Sequence, residues 1–205
     1  MARPRAFDEP DVTRQARDAF HDHGYAATSV EHLTAATGLS RSSLYGAFGD
    51  KHGLFLRSFT QYCDENAASI ERELAGDDRG ARGRLEAHLR GKVADPEASR
   101  RGCLLAKATA ELAGEDADVA RTATDFYAVY ERALADCVRG AQAAGDLRTD
   151  LDPAAAGALL LSVLRGIETL GRAGRPQAAL QAAADTAMAA LATAPGVGRG
   201  RRAEG

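Results

Sequence analysis

Arg41, Ser42 and Tyr45 lie in the stretch TGLSRSSLYGAFGDK, from Thr37 to Lys51. On a helix running from Ser40 to Phe48 they share one strip with Gly46, while Leu44, Ala47 and Phe48 fall together on the other side. The apolar strip can enter a core. The other is a narrow hydrogen-bonding ridge with one positive charge, suited to reading base edges and phosphates rather than to breaking bonds. A second group sits in RRGCLLAKATAEL, where Cys103, Lys107 and Glu111 recur at i, i+4 and i+8 on an otherwise apolar helix. Cys103 lies near that helix's N-terminus, after Arg100 and Arg101. Positive potential there and at Lys107 favours the thiolate, the reactive form. The same residues also read as a small core thiol and a plain surface Lys–Glu pair. An enzyme using Cys103 or Lys107 as nucleophile would need a paired base, an oxyanion glycine loop or a metal cluster, and none accompanies them. No catalytic residue, metal ligand or cofactor is expected.

The elements that must position these residues are helices. Val, Ile and Thr are sparse and no segment alternates with period two for long. An all-α fold of about nine helices is expected. A first helix from Glu9 to His23 carries Val12, Ala16, Ala19 and Phe20 inward and stops at Gly24. Thr28 and Glu31 have the spacing of a capping box, which opens a helix ending at Gly38. Leu39 and Ser40 turn straight into the ridge-bearing segment. Two short helices joined by a tight turn and braced by a third make a helix-turn-helix unit. Asp50 is placed to cap a longer helix running to about Ala75.

Further helices are expected at 82–94, 101–113 and 117–144. The last of these carries Val119, Ala123, Phe126, Tyr130, Leu134, Cys137 and Val138 on one stripe. Asp152 and Pro153 open a helix over 153–171 that is apolar nearly all round, and 177–192 follows. A helix with apolar surface on every side needs cover on every side. One side can face its own domain and the other a second subunit, with Leu160, Leu164, Ile167, Leu180, Ala184 and Met188 as the expected interface. A central core helix of a monomer is the plainer reading of the same pattern. The expected domains are 1–58 for the helix-turn-helix, 59–194 for the larger helical part, and a disordered tail over 195–205.

Composition sets outer bounds. The 205 residues carry a net charge of -3, and residues 1–58 hold seven Lys/Arg against seven Asp/Glu. Nucleic-acid binding must then come from placement rather than bulk charge. Three cysteines, Cys63, Cys103 and Cys137, make neither a disulfide framework nor a metal spacing. Cys63 and Cys137 read as core. A cytoplasmic location is expected, since MARPRAFDEP has no signal-peptide apolar stretch. The longest apolar run, PAAAGALLLSVL, is short for a membrane span.

The segment HGYAATSVEHLTAATGLSRSSLYGAFGDKHGLF, from His23 to Phe55, resembles the DNA-binding region of the tetracycline-repressor (TetR) family. The likeness rests on Gly-Tyr followed by Thr-Ser, the Gly-Leu-Ser turn, Leu-Tyr-x-x-Phe, and the Lys opening the next helix. It implies a nine-helix homodimer whose recognition helices enter successive major grooves of a palindromic operator. It also implies a repressor released by a small hydrophobic or electrophilic ligand. Gly46 departs from the commoner larger polar residue and gives up a DNA contact. The Gly-Cys-Leu start at 102–104, followed by Lys and Glu, is similar to a branch that includes electrophile-responsive repressors.

Spacing supports the DNA roles independently. Arg41 can pair with guanine or a phosphate, Ser42 can read a base, and Tyr45 can give its hydroxyl to a phosphate. Thr28, Ser29 and Lys51 stand at helix N-termini, whose free N–H groups suit phosphate clamping. Ser40 and Ser43 read as part of that face or as caps and solvated surface. A ligand pocket is expected among 82–94, 101–113 and 117–144, with His88, Lys107, Tyr127 and Tyr130 as candidates beside Cys103, although an aromatic stripe is also ordinary core. A DNA-binding regulator acting through protein partners without a ligand is the alternative.

Overall fold

The computed structural model describes residues 7–94 and 101–193. Nine α-helices occur among them: α1 Glu9–His23, α2 Val30–Thr37, α3 Arg41–Phe48, α4 Lys51–Leu74, α5 Ala81–Ala94, α6 Leu104–Leu112, α7 Ala117–Ala143, α8 Pro153–Arg172 and α9 Gln177–Leu191. A 3-10 turn, Asp78–Gly80, precedes α5. Arg100 and the whole of the expected tail, 195–205, lie outside the described residues.

Packing divides the chain into two compact units, one of Met1–Ile70 with Glu97–Tyr130, the other of Glu71–Pro96 with Glu131–Gly205. This grouping by contact places α6 and the first part of α7 with the head. It is a different partition from the 58/59 division drawn by role.

In the first unit, α1 starts with Pro10 in its first turn and acidic Glu9 and Asp11 at its positive end. It stops where Gly24 takes φ +80°, a conformation that side chains resist. Gly38 does the same for α2 in the left-handed region, φ +66°. Phe20, Leu33, Leu44, Leu54, Phe55 and Phe59 are fully buried. Phe20 meets Phe55 edge-on at 5.1 Å between ring centres, and Phe55 stacks on Phe59 at 5.6 Å. Each such burial contributes about 1.5–3 kcal/mol. α2 and α3 are only two turns each, so this apolar anchorage holds them more than their own helix propensity does.

The second unit contains α5, α8, α9 and the latter part of α7. Asp152 accepts from the Ala154 and Ala155 amides at 3.2 and 3.4 Å and so caps α8. Gly157 lets α8 approach α7 closely, because a Cβ there would stand 2.9 Å from the Glu131 carbonyl oxygen. His88 is buried and bonded through Nδ1 to Glu73 Oε2 at 2.9 Å.

One expectation is corrected here. Leu160, Leu164, Ile167, Leu180, Ala184 and Met188 are all buried within a single chain, at 5% exposure or less. They fill the protomer's own core, so they are not a free face for a second subunit. The large apolar side chains of α8 that are exposed are Leu159 and Leu170, at 48% and 47%. The helix itself, expected over 153–171, runs from Pro153 to Arg172. Its 20 residues reach a membrane-spanning length and hydropathy, a test that the core helix of a soluble protein also passes.

Candidate nucleic-acid interface

The outward face of α3 is built from its cap. Ser40 is the N-cap, its Oγ accepting from the Ser43 amide at 3.2 Å and lying 2.9 Å from both Ser42 Oγ and Ser43 Oγ. Leu44 is buried, while Arg41, Ser42, Ser43 and Gly46 are exposed and Tyr45 is half-buried. The Arg41 guanidinium lies over the Tyr45 ring. A cation, hydroxyls and a phenol thus stand on one side of an eight-residue helix whose other side is held in the core.

The cap of α2 differs from expectation. Ser29, not Thr28, is the N-cap: its Oγ accepts from the His32 amide at 3.2 Å, and its own amide donates to His32 Nδ1 at 3.3 Å. The capping box is therefore Ser29 with His32, one residue on from the Thr28–Glu31 spacing. Thr28 is fully buried and donates its hydroxyl to the Gly24 carbonyl at 2.6 Å, which removes that hydroxyl from the DNA face. Glu31 is exposed, and hydrogen bonds from its own backbone and from Ser29 hold its carboxyl below the ordinary range. At α4, Asp50 accepts from the Gly53 amide at 2.8 Å, as an N-terminal cap does. Lys51 Nζ stands 4.5 Å from the Tyr25 ring centre and donates to the Ala26 carbonyl at 3.4 Å. Burial lowers its pKa.

The residues expected on the ligand side are distributed over both units. Cys103 is the N-cap residue of α6, half-buried, with Tyr62 Oη 3.6 Å from its Sγ. Lys107 and Glu111 are not a surface pair. Lys107 is buried and donates to the His21 carbonyl. Glu111 Oε2 accepts the Tyr25 and Ala26 amides at 2.9 and 3.1 Å. Burial lowers the pKa of His21, whose Nε2 is 2.7 Å from the Gly102 carbonyl oxygen. Tyr130 is buried core and Tyr127 half-buried, both in the first unit, whereas His88 belongs to the second. Cys63 and Cys137 are buried, and burial pushes the Cys63 thiol up to about 12.

Three grooves among the described residues are lined by other side chains. One of about 350 Å³ lies between Pro10 and Thr13 of α1 and Arg57, Gln61 and Asp64 of α4. One of about 180 Å³ lies between α5 and α9 at Arg82, Leu89 and Met188. Another of about 170 Å³ lies beside Cys63 and Phe126. The roles of His32 and Glu111 escape sequence reading. Histidine at the third helical position is not a usual capping signal, and Glu111 meets a turn more than eighty residues away.

A capped, core-anchored α3 with a cationic, hydroxylated outer face defines a helix-turn-helix DNA-binding protein. Comparison with known proteins narrows this. Residues 12–57 match the family described as "Bacterial regulatory proteins, tetR family", and residues 81–187 match "Tetracyclin repressor-like, C-terminal domain". The chain belongs to the TetR family and is a DNA-binding transcriptional repressor, not an enzyme. It is 28% identical to the HTH-type transcriptional repressor ComR of Escherichia coli K12 over 91% of this chain and 90% of that one. A cysteine variant of the TetR-family regulator CifR, complexed with 26-base-pair double-strand operator DNA, is 30% identical. Its TM-score is 0.74, covering 92% of this chain and 99% of that one. The reduced form of Escherichia coli NemR matches with TM-score 0.78 at 15% identity over 90% and 97% of the two chains, a likeness of fold.

Proposed function

We propose that the protein is a homodimer that holds a palindromic operator through two copies of α3 and releases it when a small hydrophobic or electrophilic effector binds. The observation that carries this reading is the outer face of α3, with Arg41, Ser42 and Tyr45 turned away from the buried Leu44. Ser29 and Lys51 flank it as phosphate contacts at helix N-termini. The operator complex of CifR supports the choice of duplex DNA as partner. Leu159 and Leu170 supply apolar area for the second subunit on α8. The site of action is the compartment that holds the DNA, which is the cytoplasm.

For the effector, Cys103 is the group we assign to electrophile sensing, on its half-burial and its contact with the Tyr62 hydroxyl. Helix α4 starts at Lys51 and carries Tyr62, so a change at Cys103 reaches a phosphate contact through the Tyr62 hydroxyl and a single helix. A coupling of about 1–3 kcal/mol is the usual scale of such linkage. The test is equilibrium binding of operator duplex by fluorescence anisotropy, with and without an alkylating maleimide. Wild-type protein should bind and be released. Cys103→Ser should bind equally well and stay bound. Wild-type protein that binds but ignores the maleimide removes the sensor role, and protein that binds no duplex removes the whole reading.

A further inference from the structure

Lys107 and Glu111, one turn apart on α6, engage the two chemical ends of one turn. The end of α1 presents carbonyls and carries partial negative charge, and Lys107 takes the His21 carbonyl there. The residues just beyond present amides, and Glu111 takes two of them, Tyr25 and Ala26, on a single oxygen. Gly24 between them is required twice over. Its φ is +80°, and a Cβ at that position would collide with the Glu111 carboxylate. Arg101 adds a bond from Nε to Asp22 Oδ1 at 2.7 Å.

The other side of the same turn carries Lys51. Its ammonium rests on the Tyr25 ring and bonds the Ala26 carbonyl, so the turn that Glu111 holds at the Tyr25 and Ala26 amides is held by Lys51 at the carbonyl that follows them. An ammonium has three donors, and one spent on Ala26 leaves two for a phosphate. Glu111 also acts on Lys51 through space, favouring its charged form against the opposing effect of burial.

We propose that Glu111 is a positioning residue for DNA binding: its carboxylate fixes the Tyr25–Ala26 turn, and the turn aims the Lys51 ammonium at the backbone of the duplex. This rests on the operator-binding reading above. Position and charge predict opposite signs. As a bare anion near phosphates, Glu111 opposes DNA, so its removal on Coulomb grounds alone strengthens binding. As the anchor of the turn, its removal weakens binding.

The experiment is anisotropy with operator and with an unrelated duplex across a KCl series, on protein checked by circular dichroism to be folded. Glu111→Ala should bind both duplexes roughly tenfold more weakly, and its salt slope should be shallower by about 0.9, the value of one phosphate contact. Glu111→Gln keeps one acceptor oxygen for both amides and should bind at least as tightly as wild type. In a Lys51→Ala background, Glu111→Ala should cost nothing further. Glu111→Asp, which shortens the exposed side chain by one methylene, repeats the Ala phenotype if Ala does not fold. Wild-type affinity and slope in both the Ala and Asp variants, tighter binding by them, or a full additional loss in the Lys51→Ala background overturns the proposal. Wild-type protein that binds neither duplex overturns the functional reading instead.

Discussion

The guanidinium carbon of Arg41 stands 5.3 Å from the centre of the Tyr45 ring, one helical turn along α3. The ring restrains the cation on the exposed side, so less conformational freedom is lost when it meets DNA. Arg41→Ala should weaken operator binding by about 1–3 kcal/mol. Competition with single-base operator variants separates the two modes: relaxed preference at one position marks a base contact, and uniform loss marks a phosphate contact. Unchanged affinity takes Arg41 out of the interface.

Thr28 shows how near a site residue can lie to a structural one. With its hydroxyl buried against the Gly24 carbonyl, Thr28→Val should reduce stability by about 1–3 kcal/mol. The salt slope of DNA binding should stay that of wild type, because no phosphate contact is lost. Ser29→Ala loses the cap, about 0.5–2 kcal/mol, and should also weaken DNA binding. Chemical denaturation and a salt titration on both variants check the contrast.

Neighbouring leucines on α8 should separate assembly from folding. Leu159→Glu, at a half-exposed position, should yield a folded protein with weaker self-association by sedimentation. Leu160→Glu places a charge in the core and should unfold the chain. A folded, fully dimeric Leu159→Glu variant would point to a different face.

His88 predicts a pH dependence of stability. Burial holds its pKa below the ordinary ~6.5, with Lys92 and Arg165 acting the same way and Glu73 opposing them. The folded state therefore prefers the neutral ring. Above about pH 6.5 both states are neutral and the full stability is present. As the pH falls below that value the unfolded chain takes up the proton first, and stability is lost down to the lowered folded pKa. His21 is shifted in the same direction and adds to the slope. Urea midpoints between pH 8 and 5 should fall toward the acid side, and His88→Gln should flatten that fall in part. An unchanged slope in the variant would place the titration elsewhere.

The helices and the α3 face were legible for a local reason. Glycine stops, caps and apolar spacing act within one or two turns, and an eight-residue helix with one buried leucine leaves few choices for what faces out. Roles that depend on distant partners leave no such local mark. Apolar spacing on α8 cannot distinguish the face that meets α5 and α9 from a face left for another subunit, and Leu160 and Leu164, which fit an interface by spacing, lie in the protomer's own core. The Thr28–Glu31 spacing matched a capping box, yet the β-branched Thr fits the core behind α1 and leaves the cap to Ser29. Glu111 reads as the partner of Lys107 until the turn at Tyr25 is folded against it.

Selection of bound duplexes from a random pool reads dimer geometry and base preference together, and decides whether α3 holds a palindromic operator. An inverted repeat with half-sites about 34–36 Å apart, one turn of DNA, should emerge, and Arg41→Ala should lose that enrichment. A pool that stays random with folded wild-type protein, or enrichment that survives intact in Arg41→Ala, contradicts that role for α3.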